Sequence, residues 1–254
     1  MPSSDSRQTV VPSPLPSAGP VDPETLDDLV AANRILAEQG VLDAFGHVSQ
    51  RHPNNPDRYL LARNMAPELV TAGDIMEFDL DSNPVDPRGR RVFLERFIHG
   101  EIYKVRPDVG SVIHTHSPSI VPFSISTVPL EAVYHMSGFL AAGVPNFDIR
   151  TGAGMTDMLI RSGALGRSLA GVLADKPVAL MRGHGNVVVG ESIKVAVYRA
   201  IYTEVNARLL MQARMLGGPL VLLSPEEGRK TQESIMGQID RPWQLWRKKA
   251  LAGR

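Results

Sequence analysis

The chain has 254 residues, 43% of them hydrophobic, enough to bury one sizeable core in a single domain. Lysine plus arginine number 27, as do aspartate plus glutamate, so no net field draws the protein to nucleic acid. There is no cysteine, which excludes disulfides and thiolate ligands and leaves imidazole and carboxylate to hold any transition metal.

Residues 1–22, with Pro2, Pro12, Pro14, Pro16 and Pro20 among serines, read as a disordered leader without a signal-peptide core. Residues 23–254 read as one domain. No apolar run approaches the roughly 20 residues that a membrane span requires, so a cytoplasmic protein without a membrane partner is expected. From Pro23 to Gly40 apolar residues recur at helical spacing, with Asp22 as cap and Gly40 as stop. Phe45 to Gln50, Arg58 to Ala62 and Ile75 to Leu80 are short apolar pieces between turn-rich stretches, as in an antiparallel sheet. Leu94 to Val105 returns to helical spacing, and Val109 to His114 is a β-branched run that reads as a buried strand. Further on, the pattern predicts a helix start after Pro118, a helix over Thr156 to Ala174, strands at Val178 to Arg182 and Val187 to Val189, and a long helix from Glu191 to Leu216. The C-terminal segment with Arg241, Pro242, Trp243 and Trp246 has weaker periodicity and suits a cover over an opening or a neighbouring subunit.

The chemistry concentrates on histidine. In Val112-Ile113-His114-Thr115-His116 the two imidazoles lie two positions apart, so on a strand both point to one face and can grip one ion. Alone, that spacing equally suits two polar groups on a solvated strand. His184, in Arg182-Gly183-His184-Gly185-Asn186, follows another apolar strand where glycines allow a tight turn. Glu95 falls at the expected start of the helix preceding the first histidine pair, either as a solvated first-turn acid or as an acid or base at a metal. His99 lies one helical turn further on, as a supporting partner or a packed core residue.

Taken together, Glu95, then Arg106-Pro107-Asp108, then His114-Thr115-His116, and finally His184-Gly185 before a long helix resemble the class II aldolase/adducin family over roughly Leu26 to Gly217. The resemblance implies a three-layer α/β/α sandwich around a mostly antiparallel sheet, assembled as a tetramer or a multiple of one. It implies one divalent ion per subunit, zinc or manganese with iron or cobalt as alternatives, on His114, His116 and His184, with Glu95 as catalytic acid/base and a further metal contact.

The sugar-phosphate members of that family carry Gly-Asn-x-Ser after the first helix and a Ser-Ser pair before the glutamate. Here the first place reads Gly46-His47-Val48-Ser49 and the second Phe93-Leu94, which cannot donate to a phosphate. Arg63 and Arg150 offer cations suited to a planar carboxylate beside Phe93. With Asn33-Arg34-Ile35-Leu36 and Ala66-Pro67-Glu68-Leu69-Val70, this pattern resembles the branch of hydroxy-aromatic dicarboxylate decarboxylases. The expected activity is therefore metal-dependent, non-oxidative loss of carbon dioxide from a hydroxylated aromatic or pyridine dicarboxylate. An aldolase on an unphosphorylated hydroxy-carbonyl compound and a non-catalytic adducin-like domain are the alternatives. His135 falls near where the aldolases place a proton-donating tyrosine from a neighbouring subunit, with Tyr134 as its rival, and His47 either touches a substrate carboxylate or fills space.

Overall fold

The computed structural model describes residues 15–252. Its first helix shows why the sequence signals work. Asp22 Oδ1 accepts from Thr25 N at 2.8 Å, Pro23 occupies the first turn, and α1 runs Pro23–Glu38. Such a cap contributes about 1 kcal/mol. Burial of Leu29, Val30, Ile35 and Leu36 contributes more, at roughly 1.5–3 kcal/mol for each fully buried side chain.

The chain then lays down β1 (His47–Arg51), β2 (Arg58–Ala62), β3 (Ile75–Asp79), α2 (Phe97–Val105), β4 (Ser111–Thr115) and the short α3 (Val121–Ser124). After a 3-10 segment at His135–Leu140 come β5 (Asn146–Phe147), α4 (Arg150–Ala153), α5 (Gly163–Leu173), β6 (Val178–Met181), β7 (Gly185–Gly190), α6 (Ile193–Met215), α7 (Pro225–Met236) and α8 (Asp240–Leu251). The strands form one seven-stranded sheet in the order β3-β2-β1-β4-β7-β6-β5. Every pairing is antiparallel except β5 with β6.

Both faces of the sheet are buried, and the pleat sorts the side chains between them. Val48, Leu60, Ile113, Val178 and Val188 join one core with α1, α6 and Trp243 of α8. Tyr59, Leu61, Val112, Ala179, Val187 and Val189 join the other core with Ile98, Ile102 and Tyr103 of α2 and Leu169 and Leu173 of α5. This is the expected α/β/α sandwich around a mostly antiparallel sheet. Among the described residues no helix is long and apolar enough to cross a membrane.

Three local expectations change. The helix predicted over Thr156 to Ala174 covers only Gly163–Leu173. Before it, Met158 N donates to Thr156 Oγ1 and Leu159 N to Asp157 Oδ1, local bonds that compete with helical ones. The expected leader lies outside the described residues up to position 14. From Ser17 onward it is pinned to the sheet, because Ser17 Oγ and Ala18 N donate to Glu77 and Asn54 Nδ2 donates to Pro20 O. The C-terminal segment is two helices, the first started by a Ser224/Glu227 capping box with Pro225. In the second, Trp243 is buried in the core and Arg247 pairs with Asp28 of α1 at 2.5 Å.

Candidate metal centre and its cavity

β4 lies between β1 and β7, with His114 opposite His47 on one side and Val187 on the other. His114 alternates with Ile113 and so points to the α2 face of the sheet. His116 follows the strand end. His184 sits in the turn between β6 and β7, where Gly183 takes a φ of +62° and His184 N donates to Met181 O at 3.0 Å. A Cβ on Gly185 would overlap the Thr115 carbonyl oxygen, so only glycine lets this turn lie against the end of β4. Glu95 comes from the turn immediately before α2, where its carbonyl accepts from Ile98 N at 3.0 Å.

These elements bring four side chains to one point. His116 Nε2 lies 3.2 Å from His114 Nε2 and 3.1 Å from His184 Nε2. Glu95 Oε2 is 3.5 Å from Nε2 of both His114 and His184. All four ligand atoms lie within 4.8 Å of one another.

The surrounding hydrogen bonds decide what the cluster can hold. His114 Nδ1 faces Asn186 O at 3.2 Å and His184 Nδ1 faces Met158 O at 3.1 Å. A carbonyl oxygen only accepts, so both rings carry their proton on Nδ1 and turn bare Nε2 lone pairs toward Glu95 and His116. Lone pairs and a carboxylate converging in a buried place repel unless positive charge sits among them. Three imidazoles and a carboxylate fit a borderline divalent cation, so the donor set suits the ion that the sequence implied.

Charge tells the same story. Burial alone would raise the Glu95 carboxyl, but positive charge placed on His114 and His184, with the hydrogen bonds it would bring, outweighs burial and holds the group well below the usual carboxylate range. Burial, with His114 and His184 adding to it, pushes His116 down to about 4. Glu95 Oε1 accepts from Ile160 N at 2.9 Å. The residue that gives its carbonyl to His184, Met158, holds a φ of +68°, a conformation uncommon for a side-chain-bearing residue.

The cluster opens into a cavity of about 510 Å³. Phe45, Met65, Ala66, Phe93, Leu94 and Leu159 make most of its wall, and His47 and Asn64 are the polar groups besides the cluster itself. Among the described residues no lysine or arginine lines it. His47 follows Gly46, whose φ of +85° and closeness to His114 O leave no room for a Cβ. The His47 ring stands 5.2 Å from the His114 ring and 4.6 Å from the Phe93 ring, centroid to centroid. Behind it His47 Nδ1 meets His99 Nε2 at 2.6 Å, His99 Nδ1 meets Ser49 Oγ at 2.6 Å, and Ser49 Oγ meets Tyr103 Oη at 2.8 Å. Burial first, then neighbouring histidines, pushes His47 well below the imidazole range and His99 down to about 3, so both rings are neutral.

Of the residues the sequence singled out, His114, His116, His184, Glu95, His47 and Phe93 come together here. The others do not. Arg63 pairs with Asp74 at 2.6 Å and Arg150 with Asp148 at 2.6 Å, so both cations are committed elsewhere and neither lines the cavity. His135 lines a different cavity with Tyr198, Tyr202, Arg241 and Trp246, and Tyr134 stacks edge-on against it rather than on the cluster. Within one chain, therefore, neither Tyr134 nor His135 reaches the histidines. Sequence reasoning missed Ser49, although its two-residue spacing from His47 places it on the same strand face. It also missed Met158 and Ile160, which act through main-chain atoms and leave no side-chain signal.

Comparison with known proteins agrees with the geometry. The family model described as the Class II Aldolase and Adducin N-terminal domain matches residues 27–211. The decarboxylase tropJ of Talaromyces stipitatus is 38% identical over 240 residues, covering 85% of this chain and 90% of that protein. The 3,4-dihydroxyphthalate decarboxylase of Arthrobacter keyseri is 30% identical, covering 82% of this chain and 84% of that protein. Among solved structures, an aldolase II superfamily protein from Pseudomonas syringae superposes with a TM-score of 0.76 at 23% identity, over 92% of this chain and 95% of that one.

Proposed function

The chain belongs to the class II aldolase and adducin family, and from that premise we propose that it is a metal-dependent carbon-carbon lyase that decarboxylates a hydroxylated aromatic acid. The observation that carries this reading is the wall of the cavity. Where a phosphate-binding site needs hydrogen-bond donors beside the glutamate, this cavity presents Phe93 and Leu94. A flat ring fits against Phe45, Phe93, Leu94 and Leu159, and the decarboxylase relatives agree with that choice.

His114, His116, His184 and Glu95 would hold the divalent ion. When bound, such an ion supplies Lewis acidity toward oxygen atoms of the substrate. The chain's own groups then do three things. The apolar wall excludes water from the carboxylate, whose charge is lost when carbon dioxide leaves. Phe93 and Leu94 hold the ring in one plane, and once the carbon bearing the carboxylate is protonated, its bond to the carboxylate tips out of that plane and aligns with the π-system. His47 directs its free ring edge to the substrate's oxygens. Per turnover, one proton that comes ultimately from solvent is taken up at the ring carbon, the bond from that carbon to the carboxylate breaks, carbon dioxide leaves, and the electron pair of that bond restores aromaticity. Both oxygens of Glu95 are engaged, one by Ile160 N and one toward His114 and His184, so we assign it to the ligand set. A second carboxylate on the ring would find no lysine or arginine in the cavity among the described residues of one chain, so the proposal does not require a dicarboxylate.

The test is carbon dioxide release from a panel of ortho-hydroxy aromatic mono- and dicarboxylates. It compares metal-reconstituted protein, chelator-treated protein and the His114→Ala variant. Release that requires both the metal and His114 is expected. No release from metal-loaded protein across the panel, with cleavage of a hydroxy-carbonyl compound instead, would replace this reading with an aldolase.

A further inference from the structure

The chain Tyr103–Ser49–His99–His47 is buried from end to end and runs from α2 to the cavity, with side-chain exposures between 0% and 4%. Each of its three contacts carries one hydrogen, and the direction of those hydrogens fixes what His47 shows the substrate. The Ser49 hydroxyl decides the direction. It has one hydrogen and three acceptors within reach: His99 Nδ1 at 2.6 Å, Tyr103 Oη at 2.8 Å and Val112 O at 3.5 Å.

Donation to Tyr103 leaves the Tyr103 hydrogen without an acceptor among the described residues. Burial keeps that hydrogen on its oxygen, since the phenol is pushed far above its ordinary range. Donation to Val112 O stretches an O–H···O contact well past its normal 2.5–3.0 Å. Donation to His99 Nδ1 satisfies every group. Tyr103 then gives its hydrogen to Ser49 Oγ, Ser49 gives to His99 Nδ1, and His99 gives its Nε2 hydrogen to His47 Nδ1. Buried polar hydrogens are almost always paired, so this is the order that the packing selects.

We propose that this ordered chain locks His47 in the tautomer that presents Nε2–H to the cavity, where it donates a hydrogen bond to an anionic oxygen, carboxylate or phenolate, of the substrate. His47 Nδ1 is occupied by His99, Nε2 lies on the opposite edge of the ring, and that edge has no partner among the described residues. The residue lines the cavity beside His114. With no lysine or arginine lining the cavity among the described residues, a neutral donor is what the chain offers an anion there besides the ion it would hold. Tyr103 keeps its proton, so the chain orients His47 and does not feed protons through it. His99, Ser49 and Tyr103 are thus positioning residues that act through His47. The substrate class rests on the function proposed above, whereas the tautomer stands independently of it.

The tautomer can be read without turnover. In zinc-loaded protein carrying nitrogen-15 histidine, with the His47 signals assigned by their loss in His47→Asn, Nε2 is expected to carry the hydrogen and Nδ1 to be bare. A hydrogen on Nδ1 would overturn the proposal. Tyr103→Phe and Ser49→Ala are expected to divide His47 between two tautomers, and an unchanged pattern in both would show that the chain does not set it. Salicylate is the binding probe, measured by calorimetry against zinc-loaded protein. His47→Phe is expected to raise its Kd by roughly tenfold or more, as for a lost hydrogen bond to a charged group, with zinc content unchanged. Salicylate that fails to bind wild-type protein, or binds His47→Phe equally well, would overturn the donor role. Failure of the decarboxylase reading looks different: the tautomer and salicylate binding are intact while no aromatic acid in the panel releases carbon dioxide.

Discussion

The backbone N–H of Ile160 donates to Glu95 Oε1 at 2.9 Å, tying the loop before α5 to the turn before α2 across 65 positions of sequence. With one oxygen anchored, the other is held toward His114 and His184. Glu95→Gln keeps an acceptor for Ile160 and removes the negative charge. Its metal-free melting temperature should stay near that of the wild type, while its zinc Kd rises at least roughly tenfold in a chelator-competition titration. Unchanged zinc affinity would remove Glu95 from the ligand set.

An ion bound only by the folded state stabilises that state by mass action. At free zinc about 100-fold above Kd the gain is about 2.7 kcal/mol, which for a chain of this size is a rise in Tm of roughly 5–10 °C. His114→Ala and His184→Ala should show no such rise in a thermal scan with and without zinc.

The metal-free protein should lose stability as pH falls from about 6.5 toward 4. His116 titrates near 4 in the fold, below its ordinary range, and His99 near 3. In that window the unfolded chain binds more protons than the folded one, so stability rises with pH. The depressed Glu95 carboxyl acts in the same direction at lower pH, because stability present above the ordinary carboxylate range is lost as the group is protonated. Urea midpoints measured at successive pH values should decline through the window, and a flat profile would contradict the burial of these rings.

Two glycines separate close approach from mere flexibility. Gly185→Ala places a methyl group on the Thr115 carbonyl and should lower stability by several kcal/mol and abolish zinc binding. Gly171→Ala, on α5 with open space around it, should be neutral or gain up to about 1 kcal/mol. Circular-dichroism melts of the pair give the contrast.

Glu204 of α6 is 7% exposed and accepts from Ser117 Oγ at 2.5 Å, Ser119 Oγ at 2.5 Å and Ser119 N at 3.1 Å. It thereby fixes the chain just after His116. Glu204→Ala leaves the buried Ser117 hydroxyl without its acceptor, at about 1–3 kcal/mol, and releases the two partly buried donors of Ser119. It should weaken zinc binding by roughly 10–100-fold, measured by metal content after dialysis against a chelator. Full zinc occupancy in a destabilised variant would make its role one of stability alone.

Much of this was legible before any coordinates. The two-residue period of His114 and His116 and the glycines around His184 expose the histidine cluster, because strand pleat and tight turns follow from local chemistry. α1, β2 and α6 end within a few residues of their expected limits, since caps and β-branched runs are local signals. The two arginines show what residue type alone leaves open. Arg63 and Arg150 have the right chemistry for a carboxylate, but Asp74 and Asp148 lie close enough to neutralise them, and such pairing depends on side-chain direction. The side-chain bonds to Met158 N and Leu159 N that keep the loop before α5 out of the helix leave no periodic signal in the sequence. His99 could be placed one turn from Glu95, yet its partnership with Ser49 and Tyr103 needs the packing of α2 on β1.

Met158, Leu159 and Ile160 divide their labour. The first lends a carbonyl to His184, the third lends an N–H to Glu95, and the one between them turns its side chain into the cavity. Every residue has a main-chain carbonyl and every residue but proline an N–H, so these contacts to His184 and Glu95 do not depend on which side chain stands at position 159. A substitution at Leu159 therefore reshapes the cavity wall while the main-chain contacts on either side of it stay as they are.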